Sequence, residues 1–192
     1  MEEKQLLQGL QARQESAFKY LVNTYQTKVY NTVLAIVQNP EEAEDVAQEV
    51  FMEVYESIEK FRGDAKVSSW VYRIATTKAL EAYRKRKTQK RWGGFLSSLF
   101  GENDEVIHHP VDFVHPGVVL ENRERSTILF KAIGKLADNQ KIAFTLHHVE
   151  GLSYHEITEV MQLSLSSVES LLFRAKSNLR TLLKDYYAKE VN

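Results

Sequence analysis

The chain has 192 residues, 43% of them apolar and 27% charged, and a net charge of −1, the composition of a globular protein large enough for one domain or two small ones. It has no cysteine, which excludes disulfides, thiolate catalysis and cysteine metal sites together. The longest apolar run, residues 33–37, is far short of a bilayer span, and the acidic start MEEKQLLQGL lacks the basic flank of an export signal; the expectation is a cytoplasmic protein without membrane insertion.

Helical period runs through most of the sequence. Leu6, Leu7 and Leu10 begin a short helix. Phe18, Leu21, Val22 and Tyr25, then Val29, Val33, Ile36 and Val37, continue at the spacing of one buried face. NPEE at 39–42 marks a new start, because proline suits the first turn and Glu41 and Glu42 complement the positive end of the helix dipole. Ala43, Val46, Ala47, Val50, Val54 and Ile58 then form one apolar stripe. The turn FRGD at 61–64 is punctuated by Gly63, and a further helix is predicted from Ser68 to about Lys87. From Trp92 to about Asn122 the period breaks, in a segment with four of the eight glycines and two of the three prolines. It reads as an interdomain linker, in which Trp92, Phe95, Leu96, Leu99 and Phe100 could form a short docked helix. The period resumes with Ile128, Leu129, Ala132, Ile133 and Leu136. The predicted fold is all-α: two small helical domains, 1–91 and 128–192, joined by a flexible acidic linker at 92–127.

The near-neutral charge conceals blocks. Residues 1–62 hold six Lys/Arg against eleven Asp/Glu, whereas residues 63–91 hold nine against two. Residues 92–130 hold two against six, and residues 131–192 eight against seven. Solvated helix faces explain any single block; together they suggest separate surfaces for separate partners, one of them polyanionic. YRKRKTQKR, which closes the basic block, is the least compatible with a merely solvated face.

GLSYHEITEVMQLSLSSVESLLFRAK has the spacing of a helix-turn-helix. Ser153 and Glu156 form a capping box, Ile157, Val160 and Met161 give the first helix its apolar face, and Gln162, Leu163 and Ser164 fit the turn. A generic helical hairpin has the same spacing. On the second helix Val168, Leu172, Ala175 and Leu179 fall in one stripe, and the opposite face shows Ser166, Ser170, Phe173, Arg174 and Ser177. If Ser166 is the N-cap, Glu169 is the partner of a second capping box; if Ser164 is the cap, Glu169 is free to accept from a cytosine amino group. Sequence leaves both open.

LADNQKIAFTLHHVEGLSYHEITEVMQLSLSSVESLLFRAKSNLR resembles the promoter-binding fourth region of bacterial sigma factors. AEDVAQEVFMEVYESIEKFRGDAKVSSWVYRIATTKALEAYRKRK resembles their second region. Both occur in the family's order, as in its small extracytoplasmic-function group of the sigma-70 family. The resemblance implies an alternative sigma factor that binds core RNA polymerase, reads a minus-thirty-five element and melts a minus-ten element. It implies as partners the clamp coiled coil of the polymerase's largest subunit, the flap, promoter DNA and an anti-sigma protein, with no cofactor and no catalysis. The family often has Lys and Arg where this chain has Glu169 and Leu171, and usually Asn and Asp where it has Thr77 and Glu81.

Carried onto these residues, the resemblance places polymerase docking on Asp45, Gln48, Glu49, Met52 and Glu53, beside Glu44 on the face opposite the apolar stripe. Aromatics interleaved with cations suit a melted strand, because rings stack on bases while cations follow phosphates. The minus-ten candidates are Lys66, Ser69, Trp70, Tyr72, Arg73, Thr77, Lys78, Arg84, Arg86 and Lys87, with Tyr83 among the aromatics. Trp70 fits core packing equally well. The minus-thirty-five candidates are Ser164, Ser166, Ser167, Glu169, Ser170, Phe173, Arg174 and Lys176.

The linker acids Glu102, Asp104, Glu105 and Asp112 resemble the family's channel-threading linker, and a solvated tether has the same composition. His108, His109 and His115 lack a regular ligand spacing and read as surface histidines, and His147, His148 and His155 as helix and cap residues; no metal site is expected. Two rivals remain. A conventional helix-turn-helix regulator would act on duplex DNA without polymerase. A protein-interaction module would use the acidic helix and ignore DNA.

Overall fold

The computed structural model describes residues 2–100 and 123–190, with side chains over 2–89, 126–184 and 186. Every element among them is helical. The order is α1 (Glu3–Gln11), α2 (Glu15–Val37), α3 (Pro40–Ser57), a 3-10 turn (Ile58–Lys60), α4 (Val67–Phe100), α5 (Arg123–Gly134), α6 (Asp138–Phe144) with a π-helical turn (Thr145–Val149), α7 (Tyr154–Met161) and α8 (Leu165–Glu190).

Local chemistry sets the ends. Asn39 caps α3 by accepting from Glu42 N at 2.8 Å, with Pro40 in the first turn. Before it, α2 ends on Gln38 in the left-handed region (φ 58°), and the Gln38 amide donates to Ala35 O at 2.8 Å. At the start of α4, Glu3 of α1 supplies an acceptor, taking the Val67 N–H at 2.6 Å. In α4 the helix extends through Gly93 and Gly94 to Phe100, past the boundary expected near Lys87. The apolar 92–100 segment is therefore not a separate helix. Its side chains, the linker acids and His108, His109 and His115 lie outside the described residues.

α2, α3 and α4 pack as a three-helix unit with α1 laid against α2. Its centre holds Leu10, Leu21, Val33, Ile36, Val50, Val54, Ile58 and Val71, all fully buried. Close approach of α1 to α2 depends on Gly9, where an added Cβ would meet the Ala17 Cβ at 2.8 Å. Gly9→Ala is expected to destabilise the chain by about 1–2 kcal/mol in urea unfolding, although alanine alone favours helix by about 1 kcal/mol. Unchanged or higher stability would mean that the two helices can separate freely there.

The C-terminal unit packs α6 and α5 against α8, and α7 against α8. The two units are in contact: α2 meets α5, α6 and the π-helical turn, and α4 meets α7. One continuous cluster of buried side chains joins them, from Leu6 through Val37 and Ala79 to Phe130, Leu146, Ile157 and Leu172.

Candidate polymerase and nucleic-acid interfaces

α3 divides as its sequence predicts. Ala43, Val46, Val50 and Val54 are buried, while Asp45, Gln48, Glu49 and Met52 are exposed and Glu53 partly so. Met52, at 62% exposure, and the half-exposed Tyr55 give this acidic face an apolar centre, the make-up of a protein-docking surface.

α4 carries the basic surface, and its candidates part company. At about 100° per residue, Lys66, Trp70, Arg73, Thr77 and Arg84 share one side of the helix within roughly 60°. Beside them the 61–66 loop leaves a cavity of about 400 Å³ walled by Phe61, Arg62, Asp64, Trp70 and Arg73. Its floor is the Phe61–Trp70 stack, with ring centres 4.6 Å apart and planes 18° from parallel. Gly63, at φ +78°, turns the loop, and Arg62 pairs with Asp64 at 3.0 Å. A flat aromatic floor with a cation at its edge can hold an unstacked base.

The other candidates lie elsewhere. Tyr72 is 2% exposed, and its hydroxyl donates to Glu150 at 3.0 Å. Arg86 is committed to the fold: it bonds Glu42 and Val37 O, fastening α4 to α3 and to the end of α2. Lys78 lies 3.9 Å from Glu49 and 3.7 Å from Glu53, on the side of the acidic face. Ser69 is buried and donates to Glu159 at 2.8 Å, whereas Lys87 is exposed.

In the helix-turn-helix the capping box of α7 is complete: Ser153 N donates to Glu156 at 3.0 Å and Glu156 N to Ser153 Oγ at 3.3 Å. Gln162, in the left-handed region, closes α7. The open question of the second cap resolves to Ser164, whose hydroxyl accepts from Ser167 N at 3.3 Å; Ser166 is inside the helix, and Glu169 is not a capping partner. Val168, Leu172, Ala175 and Leu179 are buried as predicted, and Leu171 packs partly buried against the core. Ser166, Ser170, Phe173 and Arg174 stand on the outer side, with Phe173 75% exposed and Arg174 donating to Ser170 at 2.8 Å. Lys176 and Glu169 share a flank instead. Lys176 borders an open apolar groove with Leu129, Phe144, Leu179, Arg180 and Leu183, a surface that sequence reasoning missed because its residues come from three helices. His147 Nδ1 donates to Leu152 O at 2.8 Å, and its ring meets His148 and Tyr154.

Electrostatically the boundary between the units stands apart. Glu156 is held down to about 2 by the Lys66 ammonium and by Ser153. Glu150 moves the other way, pushed up to about 7 by burial, which outweighs the Tyr72 hydroxyl and the Lys28 charge. The raised value favours the protonated acid in the packed arrangement. Its contribution is therefore complete below about 4.5 and lost as pH rises through 7. Contact between the units is expected to be tighter at pH 5.5 than at pH 8, by on the order of 2 kcal/mol. Thermal unfolding across this range checks it: Glu150→Gln should flatten the slope, and an unchanged slope would contradict the assignment.

Residues 21–89 match the family model for sigma-70 region 2, and residues 126–179 the model for sigma-70, region 4. The chain is 32% identical over 185 residues to the RNA polymerase sigma-H factor of Pseudomonas aeruginosa, an alignment covering 95% of this chain and 94% of that one. It is 32% identical over 179 residues to the ECF RNA polymerase sigma-E factor of Haemophilus influenzae, covering 93% and 94%. In fold it is similar to CnrH, solved in complex with the cytosolic domain of CnrY, with a TM-score of 0.69 at 20% identity over 95% of this chain and 97% of that one. It is also similar to RpoE of Bartonella quintana, solved with the anti-sigma factor NepR, with a TM-score of 0.62 at 20% identity over 87% and 96%.

Proposed function

The chain belongs to the sigma-70 family, in its extracytoplasmic-function group, and we propose that it divides the work of such a factor among the surfaces described above. It is an alternative sigma factor: it binds core RNA polymerase and directs promoter-specific initiation. The observation that carries this reading is the presence of both regions, in order, in one chain.

In this reading Asp45, Gln48, Glu49, Met52 and Glu53 meet the clamp coiled coil of the largest subunit. Lys66, Trp70, Arg73, Thr77 and Arg84 face the melted minus-ten strand, and the Phe61–Trp70 floor receives an unstacked base. Opening costs a few kcal/mol per unstacked step, which a subunit without nucleotide chemistry can offset by holding the extruded base. Ser166, Ser170, Phe173 and Arg174 read the minus-thirty-five element, with Ser164, Ser167, Glu169 and Lys176 flanking them. The domains are 1–91, a 92–127 linker and 128–192. The apolar groove of α5, α6 and α8 suits a helix of the polymerase flap or of an anti-sigma protein. Among the described residues no helix is long and apolar enough to cross a membrane. In this reading the chain acts in the cytoplasm, with core polymerase.

A conventional helix-turn-helix regulator accounts for α7 and α8 and leaves the acidic face of α3 without a role. Gel filtration with core polymerase separates the two. A sigma factor co-elutes with core in the absence of DNA; a regulator elutes alone and still shifts duplex DNA.

A further inference from the structure

The 61–66 loop borders the floor that the proposed function assigns to an unstacked base, and it does not hold its own shape. Among the described residues, none of the backbone N–H groups of residues 62–66 donates to a backbone carbonyl. Its internal ion pair, Arg62 with Asp64, is 84% and 73% exposed, and pairs at such exposure contribute little. A capture site nevertheless needs one fixed geometry, held by groups outside the site itself.

Helix α1 supplies the missing contacts, one for each part of the loop. Gln11 Nε2 donates to Phe61 O at 3.0 Å, where the loop begins. The Leu7 Cδ2 methyl lies against Gly63 at the turn, so close that an added Cβ would stand 3.1 Å from it. Glu3 accepts from Val67 N at 2.6 Å, where the loop ends and α4 starts. Glu3, Leu7 and Gln11 recur at i, i+4 and i+8, so they form one stripe along α1. The neighbouring stripe, Leu6 and Leu10, is buried in the core and fixes the helix from which they reach. Just past the end of α1, Arg13 pairs with Glu59 at 2.9 Å, tying the same region to the turn before Phe61.

We propose that Glu3, Leu7 and Gln11 are positioning residues for strand capture: α1 splints the 61–66 loop and holds it in the shape that leaves the Phe61–Trp70 floor open to a base. The proposal rests on the strand-binding reading of α4. The three residues act through the loop and not on DNA. The cavity is walled by Phe61, Arg62, Asp64 and Ala65 with Trp70 and Arg73, and by no side chain of α1 among the described residues. A loop shaped before the strand arrives leaves less ordering to offset when a base is captured.

The test uses the full chain with core polymerase, on a duplex promoter that this holoenzyme transcribes. Gln11→Glu keeps the side-chain length but turns an acceptor toward Phe61 O, and Glu3→Ala removes the acceptor from Val67 N. Each should slow open-complex formation roughly 5- to 10-fold. Both side chains are exposed, so the unfolding temperature should stay close to that of the wild type. Glu3→Gln, which keeps an acceptor oxygen, should recover most of what Glu3→Ala loses. Gln5→Glu, exposed on the far side of α1, adds the same charge as Gln11→Glu and should leave opening unchanged.

A template with a pre-opened bubble should remove most of the loss in both variants. In a Trp70→Ala background, Gln11→Glu should add little, because both changes act on one floor. Wild-type opening by both α1 variants would overturn the splint. So would a loss that persists on the bubble, follows a fall in unfolding temperature, or multiplies in full with Trp70→Ala. The strand-binding reading fails separately, through Trp70→Ala opening the duplex promoter at the wild-type rate. Slow opening by Trp70→Ala beside fast opening by the α1 variants overturns the splint alone.

Discussion

Replacing Asp45 and Glu49 by lysine is expected to lower promoter-directed transcription about 100-fold while leaving stability nearly unchanged. Both side chains stand on the exposed side of α3, opposite the buried stripe of Ala43, Val46, Val50 and Val54. Surface changes of this kind shift folding by about 0.5 kcal/mol or less. Like charges forced together across an interface cost several kcal/mol, and about 2.7 kcal/mol is a hundredfold in affinity. The pair should therefore show normal thermal unfolding, weak co-elution with core polymerase and few run-off transcripts. Full transcription by the variant would place the polymerase dock elsewhere on the chain.

The second large effect is expected at Trp70. It stacks on Phe61 at 4.6 Å and forms the floor of the 400 Å³ cavity beside the 61–66 loop. Base–aromatic stacking contributes about 1–3 kcal/mol per base, so Trp70→Ala should reduce transcription from a closed duplex promoter roughly 10- to 100-fold. A template carrying a pre-opened bubble should recover most of the loss, because unstacking no longer has to be offset. Trp70→Phe, which keeps a ring over Phe61, should fall between. If Trp70 serves only the core, the bubble will rescue nothing and the loss will follow the drop in unfolding temperature.

These expectations depend on features of unequal legibility. Among the described residues the helices were readable wherever an apolar stripe recurred with helical period, as in Val46, Val50 and Val54 or Val168, Leu172 and Ala175. Asn39 with Pro40, and Ser153 with Glu156, announced their helix starts because a cap is a local contact. The end of α4 was not readable. Glycines at 93 and 94 and a broken period argue for a stop, and the helix continues to Phe100 against a propensity cost of about 1 kcal/mol per glycine.

At the candidate sites the limit was distance along the chain. Tyr72 has the composition of a strand-stacking residue, yet it is buried beneath Glu150, a contact 78 residues away. Arg86 belongs to a basic run but is spent on Glu42 and Val37. Neither commitment leaves a trace in local spacing. Ser164 and Ser166 were equivalent as sequence and became distinct once a hydroxyl lay 3.3 Å from Ser167 N. Glu150 and Glu159 drew no notice in the sequence, because single acids on short helices are ordinarily solvated.

The central claim, that this chain makes a polymerase promoter-specific, is tested most directly by run-off transcription from a genomic promoter library. Core polymerase from a related bacterium is assayed with and without the purified chain. The expected result is a set of transcripts present only with the chain, whose templates share two upstream motifs at fixed spacing. An identical transcript set in both reactions, together with duplex binding by the free chain, would contradict the account and favour a helix-turn-helix regulator.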